Sequence, residues 1–265
     1  VIRTILIDID GTLVGKNGIH NTTWAALEDA HRHGVHVGLC TGRIGGGRAL
    51  DLARHISPHD LHVFHSGAVI TTPDGPPAYT SDLPRTSYTE LVAISRREAE
   101  VLEVYTPDAY HVERETERSR LHNHHLEMQP HHGDLLALND HIVRAQWVVD
   151  EPTWARLRPM TEAFPDIEIS PATAPWSPGT VFASLTRKGT SKANALRWIA
   201  ERYGLEIHQV CMIGDGENDL ESIQAAGLGI AMGNAPEAVK QAANITVPDV
   251  DDGGLAEAIS IALRQ

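Results

Sequence analysis

The sequence predicts an α/β fold, a doubly wound parallel sheet into which a smaller α+β domain is inserted. Three observations lead there. Short apolar runs such as Ile5-Leu6-Ile7 and Val210-Cys211-Met212-Ile213 are uninterrupted, as strands buried on both faces require. Helical periodicity alternates with such runs over residues 1–83 and again over 185–265. Over 84–184 the alternation stops, and helices and strands follow in irregular order.

Composition sets the outer limits. A chain of 265 residues with 42% hydrophobic and 22% charged residues can fill two globular domains of ordinary size. No apolar stretch approaches the roughly eighteen residues of a membrane span, and the first residues lack a signal-like pattern. Acidic residues exceed basic ones by 35 − 22 = 13, so nucleic acid and anionic membrane are poor partners. Cys40 and Cys211 lie in apolar runs and read as buried thiols of a reducing compartment, which makes the cytoplasm the expected location. Lysine occurs only at 16, 188, 192 and 240, so each lysine is worth placing.

Taken in order, the first strand leads through a loop (14–20) to a helix over Trp24, Leu27 and Ala30. Asn21 or Thr22 can cap that helix and Gly34 ends it. A second strand (35–40) closes at Thr41-Gly42-Arg43, and a glycine-rich turn opens a helix through Leu50, Leu52 and Ile56. A third strand (61–64) and a hairpin arm (68–72, with Asp74-Gly75) complete the first part. The insert reads as a helix (88–98), a strand (101–105), an irregular polar stretch, a strand (143–149), a helix (153–164) and strands near Ile167 and Val181. Regular alternation then resumes. It runs through a helix (191–203), a strand (210–213), a helix (220–226), a strand (228–232), a helix from Pro236, a short strand (245–247) and a last helix to Leu263.

Chemistry collects at strand ends. The first strand runs into Asp8-Ile9-Asp10-Gly11-Thr12, and burying two acids there costs several kcal/mol unless a cation or hydrogen bonds compensate. A calcium loop of the EF-hand type would place glycine and glutamate where Leu13 and Ile19 stand, so that reading fails. Ligands of open parallel sheets bind beyond the carboxyl ends of the strands. If the three strands are neighbours, Asp8 and Asp10 meet Thr41-Gly42-Arg43 and the set Asp215, Asn218, Asp219 in one crevice. Carboxylate oxygens suit Mg²⁺. Lys192, in the first turn of its helix, can present its ammonium to an anion. The glycines at 42 and 45–47 lack the order of a dinucleotide loop.

In order and spacing these residues resemble the four motifs of the haloacid dehalogenase (HAD)-like hydrolase superfamily, whose core is Rossmann-like. The motifs are Asp8-Ile9-Asp10-Gly11-Thr12, Thr41-Gly42-Arg43, Lys192 within Lys188-Gly189-Thr190-Ser191-Lys192, and Gly214-Asp215-Gly216-Glu217-Asn218-Asp219. The insert is similar in size and position to the large α/β (type IIB) cap of the Cof-type phosphatase branch. The resemblance implies a catalytic core over 1–83 and 185–265 and a cap domain over 84–184. It implies Asp8 as nucleophile, Asp10 as general acid and base, and Mg²⁺ on Asp8, the Asp10 carbonyl and Asp215, with Asp219 orienting that site. Thr41, Lys192 and Asn218, with Arg43 and main-chain groups such as those of Ile9 and Gly42, are implied around the phosphate. Lys188 is the rival of Lys192 for the cation role. The family commonly has Asn-Gly-Ala where this chain has Ser66-Gly67-Ala68.

The expected activity is a Mg²⁺-dependent phosphatase of small phosphate monoesters, sugar phosphates foremost, working as monomer or homodimer on a phosphorylated metabolite. A phosphomutase of the same architecture and a non-catalytic sensor of a phosphorylated metabolite are the alternatives. Retention of Asp8, Asp10 and Lys192 together argues against the sensor. The histidines at 122, 124, 125, 131 and 132 suggest either a second metal site or a substrate-contacting loop, and sixteen histidines in all make such a cluster unsurprising.

Overall fold

The structure, a computed structural model, describes residues 1–265. Its elements begin with β1 (Thr4–Ile7), α1 (Thr22–Arg32), β2 (His36–Leu39), α2 (Gly47–Ile56), β3 (His62–Phe64), β4 (Val69–Thr71) and β5 (Tyr79–Thr80). Next come α3 (Arg85–Glu98), β6 (Leu102–Tyr105), β7 (Tyr110–Val112), α4 (Glu117–Leu126), β8 (His131–His132), β9 (Arg144–Asp150), α5 (Glu151–Thr161), β10 (Ile167–Ala174) and β11 (Ser177–Arg187). The chain closes with α6 (Lys192–Tyr203), β12 (Val210–Gly214), α7 (Leu220–Ala225), β13 (Leu228–Ala231), α8 (Glu237–Ala242), β14 (Ile245–Thr246) and α9 (Gly254–Leu263). They form two compact units: Val1–Arg43, Asp51–Ala78 and Ser191–Gln265 make one, Ile44–Leu50 and Tyr79–Thr190 the other.

The first unit is built on a five-stranded parallel sheet of order β14-β13-β12-β1-β2. Every residue of β1 is buried. Alternate side chains of a strand serve opposite faces. Leu6 joins Leu196, Ile199, Met212, Ile223 and Val239 in one cluster, while α1 packs against α9 elsewhere in the unit. The sheet is thus doubly wound, and β1 lies between β12 and β2, where the strand order reverses. Cys40 and Cys211 stand on opposite sides of β1 as free, buried thiols.

Two details differ from expectation. Asn21 occupies the position before α1 but makes no capping bond; the His20 ring accepts from the Thr22 amide instead. The third strand does not extend the parallel sheet. It pairs antiparallel with β4 and touches the end of β2 through the single bridge Cys40–Val63.

Two side chains and one carbonyl of the segment 60–63 take the place of a paired strand along β2. The Val37 amide donates to Asp60 Oδ2 at 3.0 Å, the Leu39 amide to His62 Nδ1 at 3.0 Å, and the Thr41 amide to the Val63 carbonyl at 2.9 Å. An edge strand that would otherwise present open donors is closed in this way. For His62 this fixes the tautomer, since Nε2 must then donate to the Ser57 carbonyl at 2.8 Å. Burial lowers the His62 pKa from 6.5 to about 4. The sign follows: the unfolded chain takes up a proton below pH 6.5 that the fold refuses down to about 4, so stability falls as pH drops through that window. His62→Gln is expected to lose less stability than the parent chain between pH 7 and 4.5. Urea unfolding at both pH values measures it, and identical pH slopes would refute the assignment.

The second unit contains a six-stranded sheet of order β10-β11-β9-β6-β7-β8, antiparallel except between β7 and β8. Leu102, Val104, Ala145, Trp147, Val181, Ala183 and Leu185 face an apolar cluster shared with Tyr88, Leu91 and Val92 of α3 and Trp154 and Leu157 of α5. The opposite face carries buried polar groups beside Val148 and Phe182. Fully buried Glu103 accepts from Tyr105 Oη at 2.6 Å, from His122 Nδ1 at 2.9 Å and from Gln146 Nε2 at 3.2 Å. Tyr110 Oη donates to Asn123 Oδ1 at 2.7 Å. These bonds hold α4, which lies in the stretch expected to be irregular, and whose Leu121 is 43% exposed while Ser119, His122 and Asn123 are buried.

Candidate active site

Three loops at the carboxyl ends of β1, β2 and β12 converge in the first unit. Each carboxylate is fixed by its own local geometry. Gly11 has φ +80°, and a Cβ there would lie 2.1 Å from Asp215 Oδ2, so glycine is required twice over: for the turn and for the approach of Asp215. Gly214 makes room for Asp219 in the same way.

Lys192 opens α6, whose N-terminus is capped by Ser191 Oγ accepting from the Asn194 amide at 3.2 Å. Its side chain turns inward and is 1% exposed, and Nζ donates at 2.6 Å to both Asp8 Oδ1 and Asp219 Oδ1. The rival, Lys188, is exposed in the second unit. Asp219 is fully buried, and its Oδ2 also accepts from the amides of Asp215 and Gly216 at 3.2 and 3.0 Å. Burial pushes the Asp8 carboxyl up and the neighbouring Lys192 ammonium pulls it back; burial raises Asp215 as well. For Lys192, burial is outweighed by Asp8 and Asp219, so the ammonium stays charged.

Asp8, Asp215 and Asp219 offer oxygens that all lie within 4.8 Å of one another. Three carboxylates against one ammonium leave a formal charge of −3 + 1 = −2, which one divalent cation would balance. The donor set, all hard oxygen, fits such an ion.

The remaining expected residues lie in the same unit. Asp10 is not buried: its side chain is 60% exposed and held by Arg43, with Nε donating to Oδ2 at 2.8 Å and Nη2 to Oδ1 at 2.5 Å. Thr41 is buried, and its Oγ1 accepts from the Arg43 amide at 3.2 Å. Ile9 and Gly42 complete the first and second loops, and Asn218 is exposed on the third. The histidines of 122–132 do not converge: His122 turns in to Glu103, His125 stacks on Trp176, and His131 stacks on His111.

Two sets of contacts go beyond the sequence reading, which notes Ser66-Gly67-Ala68 only as a departure from the family and Thr12 only as part of the first motif. The turn His65-Ser66-Gly67 follows β3 with φ of 50°, 54° and 109°, a left-handed path rare for non-glycine residues. It clips the second loop, the His65 amide donating to the Arg43 carbonyl at 2.9 Å and the Ser66 amide to that of Thr41 at 3.0 Å. A Cβ on Gly67 would meet the Ser191 carbonyl at 2.3 Å, so the turn also abuts the start of α6. The second set is made by Thr12, whose Oγ1 donates to Asp215 Oδ1 at 2.9 Å.

A paired-acid strand end, a buried lysine between two of the acids and an insert of separate fold have counterparts among known proteins. A model of the haloacid dehalogenase-like hydrolase family matches residues 5–259. The chain belongs to that family. A Bacillus subtilis (strain 168) protein named "Putative phosphatase YxeH" is 30% identical to this hydrolase over 97% of both chains. The solved structure of BT1666 from Bacteroides thetaiotaomicron, described among phosphatases of the HAD superfamily, is 25% identical to it. That likeness covers 98% of this chain and 95% of that one, with a TM-score of 0.81. The HAD subclass IIB sugar phosphatase BT4131 shares its fold at a TM-score of 0.78 and 24% identity, over 98% of each chain. The hydrolase is a phosphatase acting on phosphoric monoesters. No helix in it is long and apolar enough to cross a membrane.

Proposed function

We propose that this hydrolase is a Mg²⁺-dependent phosphatase of small phosphate monoesters, sugar phosphates foremost, that works through a phospho-aspartate on Asp8. The observation that carries the reading is the bridge from Lys192 Nζ to Asp8 and Asp219, beside Asp215. A carboxylate facing a phosphate dianion at about 4 Å is repelled by roughly 8 kcal/mol at an effective dielectric of about 20. Lys192 opposes that repulsion from the protein side. Mg²⁺, held by Asp8, Asp215 and the Asp10 carbonyl with Asp219 behind them, would neutralise the remaining charge on the phosphoryl oxygens.

In the proposed cycle an Asp8 oxygen forms a bond to phosphorus as the ester P–O bond breaks, and Asp10 gives its proton to the leaving oxygen. Water then attacks phosphorus, Asp10 takes the water's proton, and the Asp8–phosphorus bond breaks to release inorganic phosphate. Arg43 would pass from Asp10 to the incoming phosphate, which frees Asp10 for the proton transfers. Thr41, Gly42, Asn218 and the Ile9 backbone would hold the phosphoryl oxygens. The inserted unit, expected over 84–184, would serve as the cap domain in which specificity resides. A cytoplasmic monomer or homodimer is the form proposed.

The reading is tested by phosphate release from a panel of sugar phosphates, nucleotides and phosphorylated cofactors. Release is expected with Mg²⁺, to stop on chelation, and to occur without an isomeric phosphate. Accumulation of an isomer would favour the mutase, and release unaffected by chelation would remove the metal from the reading.

A further inference from the structure

Beside the acidic cluster stands a side chain that no motif includes. Asn234 follows β13 by three residues, at a fourth strand end of the same sheet. Its Nδ2 donates to the Gly11 carbonyl at 2.8 Å and to Asp215 Oδ2 at 3.0 Å, while Oδ1 accepts from the Val250 amide at 3.1 Å. The three partners determine the amide's orientation. The Val250 N–H can only donate, so it must meet Oδ1, and the two acceptors must meet the NH₂ group. No other standard side chain of this length offers two donors and one acceptor in that arrangement: leucine offers none, and aspartate would set a third oxygen against two.

We propose that Asn234 is a positioning residue for the metal site, aiming the Asp215 carboxylate and tying it to the Gly11 turn. This rests on the reading of Asp215 as a metal ligand. Each Asp215 oxygen receives one hydrogen bond, Oδ1 from Thr12 and Oδ2 from Asn234, so the carboxylate cannot rotate without breaking both. Each oxygen keeps a lone pair for an ion. Gly11 precedes Thr12 directly, so Asn234 also steadies the chain that carries the first bond. On its other side Asn234 lines a cleft of about 290 Å³ shared with Gly11, Val14, Lys16, Asp249 and Asp251. Truncating Asn234 would open Asp215 to water from that cleft.

The test is calorimetric titration of metal-free protein with Mg²⁺ alone, alongside thermal unfolding in chelator. Asn234→Ala is expected to weaken Mg²⁺ binding about 10–100-fold, as loss of a partner to a ligating carboxylate does elsewhere. Its melting temperature in chelator should stay near that of the parent, and kcat at saturating Mg²⁺ should change far less than the Mg²⁺ requirement. Should Asn234→Ala fail to fold, Asn234→Ser, which keeps one donor, carries the same test with a smaller loss. Mg²⁺ affinity within about twofold of the parent, or a loss that only tracks the loss of fold, would overturn the proposal. Asp215→Asn serves as the control. If it leaves Mg²⁺ uptake unchanged, the metal reading itself falls, and Asn234 has no ligand to position.

Discussion

Asp8→Asn is expected to fold normally and to release no phosphate. The amide has the size of the carboxylate and can still accept from Lys192 Nζ, which keeps its second bond to Asp219 at 2.6 Å. What it lacks is a nucleophilic oxygen. Loss of the attacking group should lower kcat by at least about 10³-fold, or roughly 4 kcal/mol of transition-state stabilisation. Unfolding free energy in chelator should stay within about 1–2 kcal/mol of the parent, the range of a conservative polar exchange. Steady-state phosphate release and urea unfolding measure the two halves. Retained turnover with a sound fold would remove Asp8 from the nucleophile's role.

Lys192→Met should fail in both respects. Methionine fills nearly the same volume but takes the ammonium from between two buried carboxylates, Asp8 and Asp219. Breaking a buried ion pair by removing one partner costs about 3–5 kcal/mol, because the remaining charge is left uncompensated. That is a large share of the roughly 5–15 kcal/mol by which a domain is stable. The deficit should grow with rising pH, since acid allows the stranded carboxyls to protonate and alkali does not. Urea unfolding at pH 5 and pH 8 checks the sign. Lys192→Arg keeps the charge, so it should recover stability better than activity. Equal stability of Lys192→Met and the parent at pH 8 would show that Lys192 is not the compensating charge.

The sequence shows the unit built on the parallel sheet better than the second unit, and α4 explains why. Uninterrupted apolar runs such as Ile5-Leu6-Ile7 become the central strands because they must be dry on both faces. In α4 the pattern is inverted: Leu121 faces water and His122 and Asn123 face the sheet. Polar bonds to Glu103 and Tyr110 hold the helix, so no apolar stripe marks it. The site divides along a similar line. Asp8, Asp215, Asp219 and Lys192 stand at strand ends or a helix start in recognisable order. Thr12 and Asn234 reach the site by hydrogen bonds to Asp215, and nothing in residue type alone distinguishes such a side chain from an ordinary turn residue. The polar residue after β13 was the available signal, a further strand end of the same sheet.

The hooks along β2 bear on self-association. Asp60 and His62 occupy the amides of Val37 and Leu39, the positions an added strand from a second chain would have to claim. Polymer growth by sheet extension is therefore blocked at that border. A dimer of this hydrolase must be built from other surfaces, and mutations at Asp60 or His62 should raise its tendency to form fibrillar aggregates.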